Sequence, residues 1–273
     1  MSLARFKTIV IAVLVLVNAF FLAIIIIDNY AEAQSERQTI ENVCAILYTN
    51  GITVDPGSIK TSGVLRTMRT AHEAEQEAII ANAFLGQVDM PDQGVISFYE
   101  NTARGTAEFY TAGYFEIHLN EGVITDLNGS LRTVRELINE MKLETLTPVL
   151  YQETESETVM AVSAYRGAGV FNSSIEFVFS GGSLLTVKGR YLTGMEPAED
   201  GVEISNVSTA LLGFLAAVKK GEIECTEIQS VESGYHHSVV GSFGEGVISP
   251  VWLITTADWR YIVDSATGDI RQI

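Results

Sequence analysis

Arg260–Ile270 reads RYIVDSATGDI, and how it is read decides the fold. Tyr261, Ile262 and Val263 read as strand. Asp264, Ser265, Thr267, Gly268 and Asp269 crowd into one tight bend, and Ile270 opens another strand. The bend is either a group of acids built for catalysis or metal binding, or a hairpin. Working outward from it, the same helix-then-strands pattern occurs three times, which favours the hairpin.

Upstream of the quoted stretch, Val207–Lys220 reads as a helix with Leu211, Phe214, Leu215 and Val218 on one side. Strand-like runs follow at Glu222–Glu232, His236–Val240, Val251–Thr256 and Trp259–Val263. An earlier helix, Leu131–Leu143, carries Val134, Leu137, Ile138 and Met141 on one side. It leads into strands at Val149–Gln152, Val159–Tyr165, Ile175–Phe179 and Leu184–Tyr191. Apolar strand positions of the two units correspond at a shift of 76 residues, and helix positions at 77. A looser copy comes first: a helix over Glu73–Leu85, then strands at Val95–Tyr99, Ala107–Tyr110 and Tyr114–Leu119.

The expected fold class is therefore α+β, with one N-terminal transmembrane helix followed by repeated helix-plus-antiparallel-sheet modules. The expected divisions are 1–30 (cytoplasmic stub and anchor), 31–52 (juxtamembrane helix), and modules over 53–128, 129–196 and 197–273. Each hairpin needs a residue with positive φ at its bend, which Gly122, Gly181–Gly182 and Gly268 supply. A catalytic acid pair would not give way to Gly181–Gly182 in a sister unit. The acids around Gly268 therefore read as turn chemistry.

The anchor is read from Thr8–Ile27, TIVIAVLVLVNAFFLAIIII, twenty residues without a charge. That length spans a bilayer's hydrocarbon layer as a helix. Arg5 and Lys7 precede it while Asp28, Glu32 and Glu36 follow, so the bulk of the chain is expected outside the cell membrane and the N-terminus inside. The competing reading is a signal peptide cleaved after Ala33, at Ala31–Glu32–Ala33. The apolar run is longer than a usual signal core, which favours an uncleaved anchor. Asn18 is the polar residue in the middle of the run, and its amide needs a partner in lipid. With Ala19 and Ala23 spaced for close helix approach, it is the candidate intramembrane contact.

The 273-residue chain carries 34 acids and a formal charge of −17. All the acids lie beyond residue 27, facing 15 of the 17 Lys and Arg, a balance of −19. Such a surface argues against nucleic acid and anionic lipid headgroups as ligands. The sequence offers no phosphate-binding loop and no nucleophile elbow. It has neither HxxxH nor CxxC spacing, and the adjacent His236 and His237 would face opposite sides of a strand. No catalytic, cofactor-binding or metal-ligating residue is assigned. Glu153–Glu157 reads as a solvated acidic loop and GSFGEG (241–246) as a flexible one. Cys44 reads as a buried thiol within a helix over Ala31–Asn50. Asn128, Asn172 and Asn206 begin N-x-S triplets. Trp252 is expected under the helix near Phe214.

These features together resemble the YycH/YycI regulatory proteins of Gram-positive bacteria, closer to the smaller YycI type. They are the basic N-terminus, one apolar helix, a juxtamembrane helix, an acidic α+β ectodomain, the Pro250-x-Trp252-x-Ile254 strand and the final YIVDSATGDI hairpin. The resemblance implies a membrane-anchored accessory regulator beside a sensor histidine kinase of a two-component system, with a YycH-type membrane protein as partner. It implies no enzymatic activity. The final hairpin also recurs in PepSY-like modules, so the alternative is an inhibitor or chaperone of an extracytoplasmic peptidase. A third reading is an envelope enzyme whose acids converge only in the fold.

Overall fold

The computed structural model describes residues 14, 17, 18, 20–22, 34–71, 73–88, 96–110, 113–127, 129–143, 146–152, 156–239 and 246–273. The fold is α+β, as the helix-then-strand pattern implies. Helix α1 covers residues 34–49. It is followed by β1 (Thr53–Val54), a 3-10 turn (Pro56–Ser58), β2 (Ile59–Lys60) and β3 (Met68–Thr70). Asp55 caps the turn by accepting from Gly57 N at 2.9 Å, and Pro56 supplies its first residue.

One half of the fold is a seven-stranded antiparallel sheet with two helices on one face. Helix α2 (Ala74–Leu85) precedes β4 (Ile96–Asn101), β5 (Gly105–Tyr110) and β6 (Tyr114–Leu119). Helix α3 (Ser130–Glu140) precedes β7 (Leu146–Gln152), β8 (Ser156–Tyr165), β9 (Ala168–Ser180) and β10 (Ser183–Arg190). Each set is an antiparallel meander, and β10 joins them by pairing with β6, giving the order β7-β8-β9-β10-β6-β5-β4. Both helices bury their apolar stripes on this sheet. Ile80 and Phe84 of α2 share one core with Val134, Leu137 and Ile138 of α3 and with Phe109, Phe115, Phe177 and Phe179 of the strands. Burial of each such side chain contributes about 1.5–3 kcal/mol. This core draws on residues from both 53–128 and 129–196.

The other half is built around a long hairpin, β12 (Glu227–Val239) and β13 (Gly246–Thr256), after β11 (Glu196–Pro197) and α4 (Val207–Lys219). β14 (Arg260–Asp264) and β15 (Ile270–Gln272) continue the meander beyond β13. A single strand therefore stands where the sequence suggested two, at Glu222–Glu232 and His236–Val240. Residues 222–226 are loop, and Val240 lies outside the described residues. β12 stays continuous because Ser233 and Gly234, polar and turn-like by composition, pair in register with Trp252 and Val251. Asn206 caps α4, its side chain accepting from Ser208 N at 2.9 Å. Beneath α4, Phe214 meets Tyr261 edge-on at 5.4 Å and shares a core with Trp252, as expected. Helix α1 belongs to the same core through Val43, Cys44 and Leu47.

The free edge of β12 is occupied in turn by three parallel neighbours. They are β1 at Glu227–Ile228, β2 at Val231–Glu232 and β9 at Tyr235. The last is one residue long and is where the two halves join. A Cβ at Gly234 would collide with the carbonyl of Gly169 and the Phe171 ring, so the strands approach there only because the residue is glycine.

Candidate interaction surfaces

Among the described residues, Leu14, Val17, Asn18, Phe20, Phe21 and Leu22 are helical and exposed. Phe20 and Leu22 expose 62% and 59% of their surface, so the described residues do not cover these apolar side chains. Asn18 projects from this exposed helical segment. Ala19 and Ala23 lie outside the described residues, as does most of 8–27. Among the described residues, no helix is long and apolar enough to cross a membrane.

Helix α1 comes next among the described residues, after 23–33, which lie outside them. Residues 34–38 are exposed on every side, and the inward stripe begins at Ile40 and runs through Val43, Cys44 and Leu47. The first turns thus stand clear of the fold while the last two are built into its core. Main-chain bonds close the C-terminal end of α1: Gly51 N donates to Tyr48 O at 3.0 Å and Ile52 N to Leu47 O at 3.0 Å. The Cys44 thiol is buried and pushed upward, first by burial and then by Asp55. Cys225 packs against the same core, and both cysteines are free.

A polar seam lies where the halves meet. Asn172 of β9 donates from Nδ2 to the His237 carbonyl at 2.7 Å and accepts the His237 N–H on Oδ1 at 2.8 Å. Nδ2 also lies 3.2 Å from Nε2 of His236. Ser163 and Ser173 share a buried hydrogen bond of 3.0 Å, and Ser173 Oγ donates to the Arg190 carbonyl at 3.3 Å. The His237 ring is buried against Gly246 and Thr70, where any side chain at 246 would collide with it. Burial, then the Arg190 guanidinium and His236, lowers the His237 pKa to about 4. The ring is neutral at ordinary pH, and His236 is shifted the same way by burial and then Arg271. The two histidines do face opposite sides of β12. Among the described residues no group of three His, Cys, Asp or Glu side chains is placed to hold a metal ion.

The final bend is a hairpin. Asp264 Oδ1 accepts from Ala266 N at 2.8 Å and Thr267 N at 3.1 Å, and Thr267 Oγ1 accepts from Asp269 N at 3.2 Å. Gly268 has φ 75° and donates its N–H to the Asp264 carbonyl at 2.9 Å. The carboxylate of Asp264 is thereby committed to the main chain, with Arg271 at 3.8 Å. Trp259 is half exposed at the preceding β13–β14 bend, whereas Trp252 is buried and donates from Nε1 to Ser205 O at 2.9 Å.

The seam was not legible in the sequence. Asn172 was visible only as the start of an N-x-S triplet. The strand expected at Ile175–Phe179 reaches back to Ala168 and so includes Asn172, and a serine, Ser173, takes a buried position beside it. Of the other two triplets, Asn206 is the α4 cap and Asn128 lies outside the described residues. His72, Glu153–Glu155 and 241–245 lie outside them too.

Beside the hairpin, a groove of about 470 Å³ runs between β15 and the outer flank of α4. Gly213, Ala216, Lys220, Glu222, Asp269 and Arg271 are among the residues that line it.

No protein-family model and no curated protein matches the sequence. Among solved structures, the fold is similar to an uncharacterized protein from Eubacterium rectale ATCC 33656, at 9% identity and a TM-score of 0.47. That likeness covers 77% of this chain and 82% of the other.

Proposed function

We propose that the protein is a membrane-anchored extracytoplasmic regulator that tunes a sensor histidine kinase of a two-component system by contact, as its YycI resemblance implies. In this reading residues 8–27 form a single transmembrane helix, with the N-terminus cytoplasmic and the ectodomain outside. The units over 53–128, 129–196 and 197–273 are related helix-and-meander modules whose surfaces meet the kinase and a YycH-type partner. The observation that carries the reading is the group of exposed helical residues Leu14, Val17, Asn18, Phe20, Phe21 and Leu22. Side chains such as Phe20 and Leu22, held on a helix and left bare, need lipid or another helix around them.

The seating of α1 gives the mechanism. Its last two turns share a core with α4, β12 and β13, so a displacement of α1 itself would be felt by the rest of the fold. Regulation requires that the anchor bind the kinase's two signalling arrangements with different free energies. Asn18, projecting from the helix, provides an amide that one arrangement can satisfy and the other leave bare.

The test is capture of the kinase from detergent-solubilised membranes by the full-length chain and by Asn18→Leu. The expected result is weaker capture by the variant together with altered kinase output. Unchanged capture and output would count against the proposal. Full activity of a soluble ectodomain beginning at Ala31 would favour the peptidase-inhibitor reading instead.

A further inference from the structure

Helix α4 has an apolar side that no described residue covers. Its sequence, VSTALLGFLAAVK, contains one charge, at Lys219. The inward face is filled by Leu211, Phe214 and Leu215, yet the outward positions Leu212, Gly213 and Ala216 are also apolar and exposed. A surface helix ordinarily carries polar residues there, and one that is apolar all round is ordinarily covered on both sides. Gly213 has open space where a side chain would begin.

The sheet beside this flank ends in an unpaired edge. Among the described residues, β15 pairs with β14 alone. Asp264 N donates to Asp269 O and Ile273 N to Arg260 O, and Ile262 stands opposite Arg271. Asp269, Arg271 and Ile273 therefore turn their main-chain groups toward β14. By alternation, Ile270 and Gln272 turn their N–H and C=O groups outward, where they can pair with another strand. The groove between α4 and this edge accommodates an added strand whose alternate side chains rest on Gly213 and Ala216.

We propose that the occupant is β15 of a second copy of this chain, in a two-fold homodimer centred on Ile270. An antiparallel pairing about that residue sets Ile270 beside Ile270 of the partner subunit, under the two α4 flanks. It also sets Asp269 opposite Arg271 of the partner subunit, and Arg271 opposite Asp269 of the partner subunit. Both cross-strand pairs are of opposite charge. They select this register in a chain whose charge of −17 otherwise makes copies repel.

The experiment is sedimentation of the full chain in detergent over a concentration series reaching about 100 μM, well above a micromolar Kd. It is run also in the Asn18→Leu background, so that association through the membrane segment is separated from association through β15. Two chains per particle are expected in both backgrounds. Gly213→Gln, at an open helical position, is expected to weaken association ten-fold or more. Asp269→Arg and Arg271→Asp each place like charges opposite one another and are expected to weaken it roughly ten-fold. The double variant D269R/R271D restores opposite pairs and is expected to recover most of the loss. Thermal melts that match the parent chain establish that each variant is folded. One chain per particle throughout the series would overturn the proposal. So would a dimer indifferent to these substitutions, or a monomer whose groove instead captures an added extended peptide.

Discussion

The side-chain amide of Asn172 holds the main chain of His237 from both directions, donating to its carbonyl at 2.7 Å and accepting its N–H at 2.8 Å. The amide stands in for a strand. β9 and β12 make a single parallel pair, at Val170 and Tyr235, and then diverge, leaving the polar groups of His237 without a ladder partner on that side. Asn172 reaches across the gap and makes the two bonds that a neighbouring backbone would have made.

Removing that amide leaves a partly buried N–H and C=O unsatisfied. Asn172→Ala is expected to cost about 2 kcal/mol. Chemical denaturation of the full chain should show a lower midpoint, and hydrogen exchange should show faster exchange at the His237 amide. An unchanged midpoint would mean that the two halves are held together elsewhere.

The same seam makes stability depend on pH. The folded pKa of His237 is about 4, below the ordinary histidine value of 6.5, because burial and the Arg190 and His236 charges disfavour the protonated ring. The unfolded chain takes up the proton first. Stability contributed by the neutral ring is therefore complete above pH 6.5, declines as pH falls toward 4, and changes no further below that. The full size of the effect is about 3 kcal/mol. His236 is shifted in the same direction and adds to the decline. Urea midpoints at pH 7 and pH 4.5 should differ clearly in the parent chain and much less in His237→Gln. Equal pH dependence in both would show that the ring is not the titrating group.

The final bend gives a sharper contrast. Asp264→Ala removes two hydrogen bonds to Ala266 N and Thr267 N and is expected to destabilise by about 1 kcal/mol, whereas Asp264→Asn keeps the acceptor and should be close to neutral. Equilibrium unfolding of the two variants checks this. A carboxylate that served chemistry instead would make the Asn variant as damaging as the Ala variant in function, with stability unchanged.

Much of this arrangement was legible in the sequence because it rests on periodicity. The stripes at Val134, Leu137 and Ile138 and at Leu211, Phe214 and Leu215 are spaced for helices, and both helices form. The hairpin at Gly268 follows from residues with special backbone preferences. The joining of β10 to β6 was not legible, because strand pairing between distant segments leaves no mark in either one alone. β12 was read as two strands because Ser233 and Gly234 resemble a break, when the glycine is there to admit the Gly169 carbonyl and the Phe171 ring. The seam escaped for a related reason. Asn172 and His237 acquire their roles only from a partner more than sixty residues away.

The most direct test of the central claim is the phosphorylation rate of the sensor kinase co-reconstituted in liposomes with the full-length chain, with Asn18→Leu, and with the ectodomain from Ala31 alone. The account predicts that the full-length chain shifts the rate, that Asn18→Leu loses most of the shift, and that the soluble ectodomain produces little of it. An ectodomain that reproduces the whole shift, or an Asn18→Leu chain that acts like the parent, would contradict it.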